Sequence, residues 1–170
     1  MIAFAHAKVC LTAFVGSHVA GVSRDLLTEH FLTLSDEGRF QRFLRRMDTE
    51  AIDAHVEHLL ADAHALIIAS QSNRIRGLAE LYISLQEPSA EVGLSVLERH
   101  QGQGIGTSMT TMLIRIAEHA RCTALSAVTL MENSAARALL KNLGFRQRGS
   151  GEECHATLLM QHSDDSRVPN

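Results

Sequence analysis

The chain of 170 residues (18.6 kDa) fits one domain, large enough to bury a core without metal or disulfide staples, and excludes a multidomain machine. Its 45% hydrophobic and 21% charged residues read as globular, and 16 Lys and Arg against 19 Asp and Glu leave a net charge of −3, without the basic footprint of a nucleic-acid binder. With no Trp, one Tyr and six Phe it offers no base-stacking platform, and its core must be aliphatic.

Cys10, Cys122 and Cys154 form an odd set without a CxxC pair. This argues against a disulfide framework or a zinc ribbon and makes a reducing cytoplasm the default location. The apolar start, Ile2 to Ala5 and then Val9 to Val15, faintly resembles a signal peptide, but it lacks a basic leading region and is broken by His6 and Lys8. No run reaches the roughly 18 apolar residues of a membrane span, so no membrane partner is expected.

In chain order, helical spacing of apolar residues predicts helices over 25–34, 36–47 and 50–61, with Ser35 and Thr49 as N-caps. Short β-type runs follow at 65–70, 75–85 and 90–97, separated by a polar turn at 71–73 and the break at Pro88, and they read as an antiparallel meander. A long helix spans 104–121, striped by Met109, Met112, Leu113, Ile116 and Ala120. A strand at 124–131, a helix at 134–143 and strands at 145–148 and 154–161 complete the pattern. The long helix joins strands 90–97 and 124–131 as a βαβ crossover, so those two should be parallel in an otherwise antiparallel sheet. The fold class is mixed α+β, with a frayed tail at 163–170.

The most informative stretch runs from Glu91 to Thr107, a strand passing through a glycine-rich turn into a helix. Gly102, Gly104 and Gly106 let the backbone take unusual dihedrals and approach a ligand, and the N–H groups of the helix start favour a phosphate. A tightly packed helix N-terminus would look the same. The missing Lys-Ser/Thr excludes a P-loop, and Gly102-x-Gly104-x-Gly106 departs from the dinucleotide spacing GxGxxG.

Gln101-x-x-Gly104-x-Gly106, after Ala-Glu-Val-Gly-Leu-Ser-Val, resembles the acyl-CoA pyrophosphate motif of the GNAT N-acetyltransferase superfamily. The segment from Glu132 to Phe145, with Asn133 opening a helix that ends in Leu143-Gly144-Phe145, resembles that family's later strand-helix signature. The likeness covers residues 65–160. Phe31-Leu32-Thr33-Leu34-Ser35-Asp36-Glu37-Gly38-Arg39-Phe40-Gln41-Arg42-Phe43 is similar to the helical lead-in of bacterial protein-lysine acetyltransferases, the closest branch. The resemblance implies a six- to seven-stranded, mostly antiparallel sheet with one parallel pair splayed around the cofactor and helices on its faces. It divides a single domain at 1–162 into a helical acceptor-side segment at 21–61 and a donor-binding core at 65–160. From its length, the ligase-like and cyclic-nucleotide-binding domains of some relatives are not expected here.

By the same resemblance, the acyl donor acetyl-CoA rests its pyrophosphate on the backbone of Gln101, Gly102, Gln103, Gly104, Ile105 and Gly106, with the Thr107 hydroxyl nearby. Its pantetheine lies against Leu94, Ser95 and Val96, where a backbone N–H faces the thioester carbonyl and steadies the charge that develops as the amine attacks. Asn133 binds pantetheine or caps its helix, and Arg137 either reaches the phosphates or is a solvated helix charge. An ammonium near pKa 10.4 must lose a proton before it attacks. Glu91 stands where related lysine acetyltransferases place a catalytic glutamate, although a strand-edge carboxylate in a salt bridge would also fit; Glu80 is the reserve. Leu140 occupies the position of the family's usual acidic Tyr, and Tyr82 is a poor substitute for it. The expected activity is transfer to a primary amine, a protein lysine first, in a ternary complex. A polyamine, antibiotic or amino acid acceptor, or a non-catalytic acyl-CoA sensor, is the alternative, and a homodimer is compatible with either.

His55, His58 and His64 lack the HExxH pattern and read as surface histidines, so no metal is expected. Cys154-His155 has no third partner and reads as structural, and Phe40, Phe43 and Met47 read as core or as a wall of the acceptor cleft.

Overall fold

The computed structural model of the protein describes residues 9–160, so the expected tail and the apolar residues before Val9 lie outside the described residues. Strand β1 (Cys10–Val15) leads through a 3-10 turn (Gly16–Gly21) into α1 (Arg24–Thr33), α2 (Asp36–Phe43) and α3 (Thr49–Asp62). Next come β2 (Ala65–Gln71), β3 (Arg74–Ile83) and β4 (Ser89–Val96), then α4 (Ile105–His119), β5 (Ala124–Leu130), α5 (Ser134–Asn142), β6 (Arg146–Ser150) and β7 (Glu153–Leu159). The seven strands form one sheet ordered β1-β2-β3-β4-β5-β7-β6. Every pairing is antiparallel except β4 with β5, the pair that the crossover predicts.

Strand β2 is buried on both faces, which is why Ala65 to Ala69 reads as an unbroken apolar run. Ala65, Ile67 and Ala69 pack with Met109, Leu113 and Ala117 of α4, while Leu66 and Ile68 pack with Leu27, Phe31, Ile52, Val56 and Leu59 of the first three helices. The sheet thus carries helices on both faces, with β4 at its centre. Ser72 and Asn73, both at positive φ, make the two-residue turn from β2 to β3.

One strand was not foreseen and two local expectations are corrected. Strand β1 escapes the sequence pattern because it is an edge strand whose residues are mostly exposed, so its apolar alternation is blurred. Helix α2 stops at Phe43 rather than 47: Leu44 turns left-handed (φ 57°) and its N–H closes on Phe40 O at 2.7 Å. The N-cap of α3 is Asp48, whose carboxylate accepts from Ala51 N, and Thr49 is the first helical residue. Ser35 caps α2 as expected, accepting from Gly38 N at 3.0 Å.

Candidate functional site

The parallel pairing of β4 with β5 is short: Ser89, Ala90 and Glu91 face Ala124, Leu125 and Ser126, and the ladder stops there. Beyond Glu91, β4 stays paired with β3 and β5 with β7, so their facing edges have no ladder partner. Both edges line a cleft of about 1140 Å³ that runs from the glycine turn, past β4, to the space under α2 and α3. An extended amide-bearing chain can take up the free backbone groups of such a gap.

At one end of the cleft, Gly102 (φ 71°) and Gly104 (φ 78°) hold left-handed conformations that a side chain would strain. Gly104 is the N-cap of α4 and supplies no side-chain acceptor, which leaves the N–H groups of Ile105, Gly106 and Thr107 for a ligand. Gly106 serves packing instead: a Cβ there would come within 2.9 Å of Leu139 Cδ1 and 3.4 Å of Leu94 Cδ2. Gln101 fastens the turn to β4 by donating Nε2 to Val96 O at 3.0 Å.

Of the residues singled out above, Glu91, Leu94, Ser95, Val96, Gln101, Gly102, Gly104, Ile105, Gly106, Thr107 and Asn133 all line this cleft. Gln103 and Arg137 do not. Gln103 Nε2 turns to Arg99 O at 3.3 Å, and Arg137 Nη1 donates to Met131 O at 2.9 Å while its Nε meets Gln147 Oε1 at 3.4 Å. Arg137 thus ties α5 to the end of β5 and to Gln147. Asn133 caps α5 through Ala136 N at 3.0 Å and also donates Nδ2 to Gln41 Oε1 of α2 at 3.2 Å.

The other end is polar. Glu80 is fully buried on β3, with Oε1 2.7 Å from Arg42 Nη2 and Oε2 accepting from Tyr82 OH at 3.1 Å; His55 Nε2 lies 3.5 Å away. Burial pushes the Glu80 carboxyl up, but the Arg42 cation and His55 outweigh it and hold it down at about 2. Fully buried and engaged by Arg42 and Tyr82, this carboxylate is a poorer proton acceptor than Glu91, which is exposed to the cleft. Burial and the Glu80 charge raise the Tyr82 hydroxyl, and its proton is committed to Glu80, so Tyr82 does not serve as an acid. Leu140, buried at the cleft wall, has no proton to give. His55 is not on the surface: its ring is wedged between Phe31 and Phe43, at 5.2 and 4.9 Å between centroids. His58 is exposed, paired with Asp62 and stacked on Tyr82.

Sequence reading missed two contacts at β4. His30 Nε2 lies 2.8 Å from Ser95 Oγ, and Arg42 lies over Gly93, where a Cβ would collide with its guanidinium. A glycine in mid-strand was the available signal, since it marks a close approach.

A family model described as the acetyltransferase (GNAT) family matches residues 26–145. No protein of curated function matches the chain. Among solved structures, the GNAT domain of PAT from Streptomyces lividans superposes with a TM-score of 0.70 at 15% identity, covering 89% of this chain and 90% of that one. The yncA protein of Salmonella typhimurium, solved with its cofactor acetyl-CoA, gives 0.64 at 16% identity over 92% and 97% of the two chains. The ribosomal-protein-S18-alanine N-acetyltransferase of Escherichia coli gives 0.65 at 15% over 92% and 98%.

Proposed function

The chain belongs to the GNAT acetyltransferase family, and from that premise we propose that it moves an acetyl group from acetyl-CoA to a protein lysine by direct attack in a ternary complex, with Glu91 as base. The observation that carries this reading is one cleft that joins the uncapped start of α4, the open gap between β4 and β5, and the Glu91 carboxylate. The residues at the glycine turn and gap fit the donor: positive-φ glycines, unclaimed helix N–H groups and unpaired strand edges suit a pyrophosphate followed by an amide-bearing arm. When bound, acetyl-CoA supplies the thioester to be attacked.

The chain's own residues do the rest. Ile105, Gly106 and Thr107 hold the phosphates, and the backbone from Leu94 to Val96 steadies the charge that develops on the carbonyl oxygen. Glu91, exposed to the cleft and in no ion pair among the described residues, accepts the amine proton. The helical segment at 21–61 shapes the acceptor side and residues 65–160 hold the donor. The mildly acidic chain suits a cationic acceptor, and the free thiols suit a reducing cytoplasm.

The test is release of CoA with a panel of lysyl peptides, polyamines and amino acids. Parent turnover on lysyl peptides, lowered about 10²-fold or more in Glu91→Gln with unchanged acetyl-CoA binding, supports the reading. Preference for a small amine moves the acceptor class, and full activity of Glu91→Gln removes the base. A second reading, an acyl-CoA sensor, is favoured by the apolar Leu140 at the cleft wall. Binding of acetyl-CoA without turnover on any amine would decide for it.

A further inference from the structure

Glu91, Gly93 and Ser95 share one face of β4, two residues apart, so neighbours stand about 7 Å from each other along the strand. The middle position has no side chain, and the Arg42 guanidinium takes that space. Glu80 holds it from the sheet, Nη2 to Oε1 2.7 Å, and the Phe43 ring flanks it, 5.0 Å from Cζ to the centroid. The side chain is 14% exposed and opens onto the cleft, and its Nε has no hydrogen-bond partner among the described residues. A fixed cation therefore sits between the carboxylate assigned to take the amine proton and the backbone assigned to the carbonyl oxygen.

Resting on the transfer reaction above, we propose that Arg42 is a further catalytic group whose guanidinium faces the reacting nitrogen and favours the neutral amine over the ammonium. A like charge a few ångströms away disfavours the charged form of a lysine-type amine, here by about one pH unit. The groups facing this place are Glu80 and Tyr82 from β3, Glu91 from β4, His55, His58 and Asp62 from α3, and His30 from α1; Ala127, Val128 and Thr129 of β5 carry no charge. Glu80 is fully buried and Arg42 is 14% exposed, so the guanidinium is the accessible member of the pair, and Asp62 is taken by His58 at 2.7 Å. In the reaction the ammonium gives one proton to Glu91 and its lone pair forms the N–C bond. The C–S bond breaks with its electrons to sulfur, and the nitrogen's surplus proton passes through water to the thiolate. Arg42 moves no proton.

The experiment is the pH profile of kcat with Nα-acetyl-lysine methylamide as acceptor, and with its aminooxy analogue, which is neutral at pH 7. Arg42→Gln alone would strand the buried Glu80, so the variant is Arg42→Gln with Glu80→Gln; Gly93→Ala with Glu80→Gln, which displaces the guanidinium and leaves no buried carboxylate unpaired, is its independent partner. In each, the acidic limb should rise by about one pH unit and the amine rate at pH 7 fall about tenfold, with the alkaline plateau, the aminooxy rate and acetyl-CoA affinity kept. An unmoved limb in either variant that still binds acetyl-CoA overturns the proposal, as does an equal loss on the aminooxy acceptor. A parent enzyme without turnover on either acceptor overturns the underlying reading instead, and the role of Arg42 with it.

Discussion

His30 and Ser95 meet 2.8 Å apart between α1 and β4, with 2% and 6% of their surfaces exposed, so a buried imidazole pins the strand beside the gap between β4 and β5. Burial, only partly offset by the Ile75 backbone and the Glu80 charge, pushes this imidazole down to about 4.

A histidine neutral in the fold and protonated when unfolded stabilises the protein above pH 6.5, and that stability is lost as pH falls towards 4. The loss should be on the order of 3 kcal/mol. Glu80, held at about 2, acts in a separate window: its contribution is present above pH 4.5 and lost below it. Urea unfolding between pH 7 and 4 should therefore show a steep decline in the parent and a flatter one in His30→Gln. Equal slopes would mean that His30 titrates normally.

Much of this cleft is legible in the sequence. The glycine turn, the strand before it and the Asn133 cap are local features, and the parallel β4–β5 pair follows from one helical crossover. Arg42 over Gly93 and Ser95 on His30 join residues 51 and 65 positions apart, and neither periodicity nor propensity reports such pairings. His55 misleads for the same reason: its polar type suggests the surface, and only the packing of Phe31 and Phe43 puts it inside. Arg137 reads as a surface charge because its acceptor, the carbonyl of Met131, is set by where β5 ends.

Gly104 and Gly106 should fail differently. Alanine at position 104 must hold φ 78°, a conformation costing about 1 kcal/mol, and it turns the α4 amides away from the ligand. Acetyl-CoA should bind about tenfold more weakly to Gly104→Ala. Alanine at 106 keeps an ordinary φ but presses on Leu139 and Leu94, so its main effect should be about 1–3 kcal/mol of stability. Calorimetric titration beside thermal melts separates them, and the reverse assignment would show that the amides of this turn do not hold the donor.

Glu98 ties the segment before the glycine turn to α2: Oε1 accepts from Ser35 N at 3.0 Å and from Ser35 Oγ at 2.6 Å, at the start of the helix. Glu98→Ala should loosen α2, which carries Gln41, Arg42 and Phe43 into the cleft. The acceptor KM is expected to rise a few-fold, in line with losing hydrogen bonds worth about 1 kcal/mol, while acetyl-CoA affinity changes little. Glu98→Gln keeps an acceptor oxygen and should sit near the parent. Equal damage to donor and acceptor binding would mean that Glu98 supports the donor loop itself.

Helix α4 ends in a Schellman turn: Ala120 is the C-cap, Arg121 is left-handed at φ 63°, and Cys122 N reaches back to Ala117 O at 3.0 Å. Arg121 is exposed and lies outside the cleft, so the cost of glycine there is the greater entropy of a freer unfolded chain. A left-handed L-residue costs about 1–2 kcal/mol, and the unfolded-state entropy of glycine returns part of that. Arg121→Gly should thus stabilise the fold by about 1 kcal/mol and raise Tm by a few degrees, with acetyl-CoA affinity unchanged. Paired melts and titrations measure both, and a lowered Tm would show that the Arg121 side chain contributes more to the folded state than its exposed position implies.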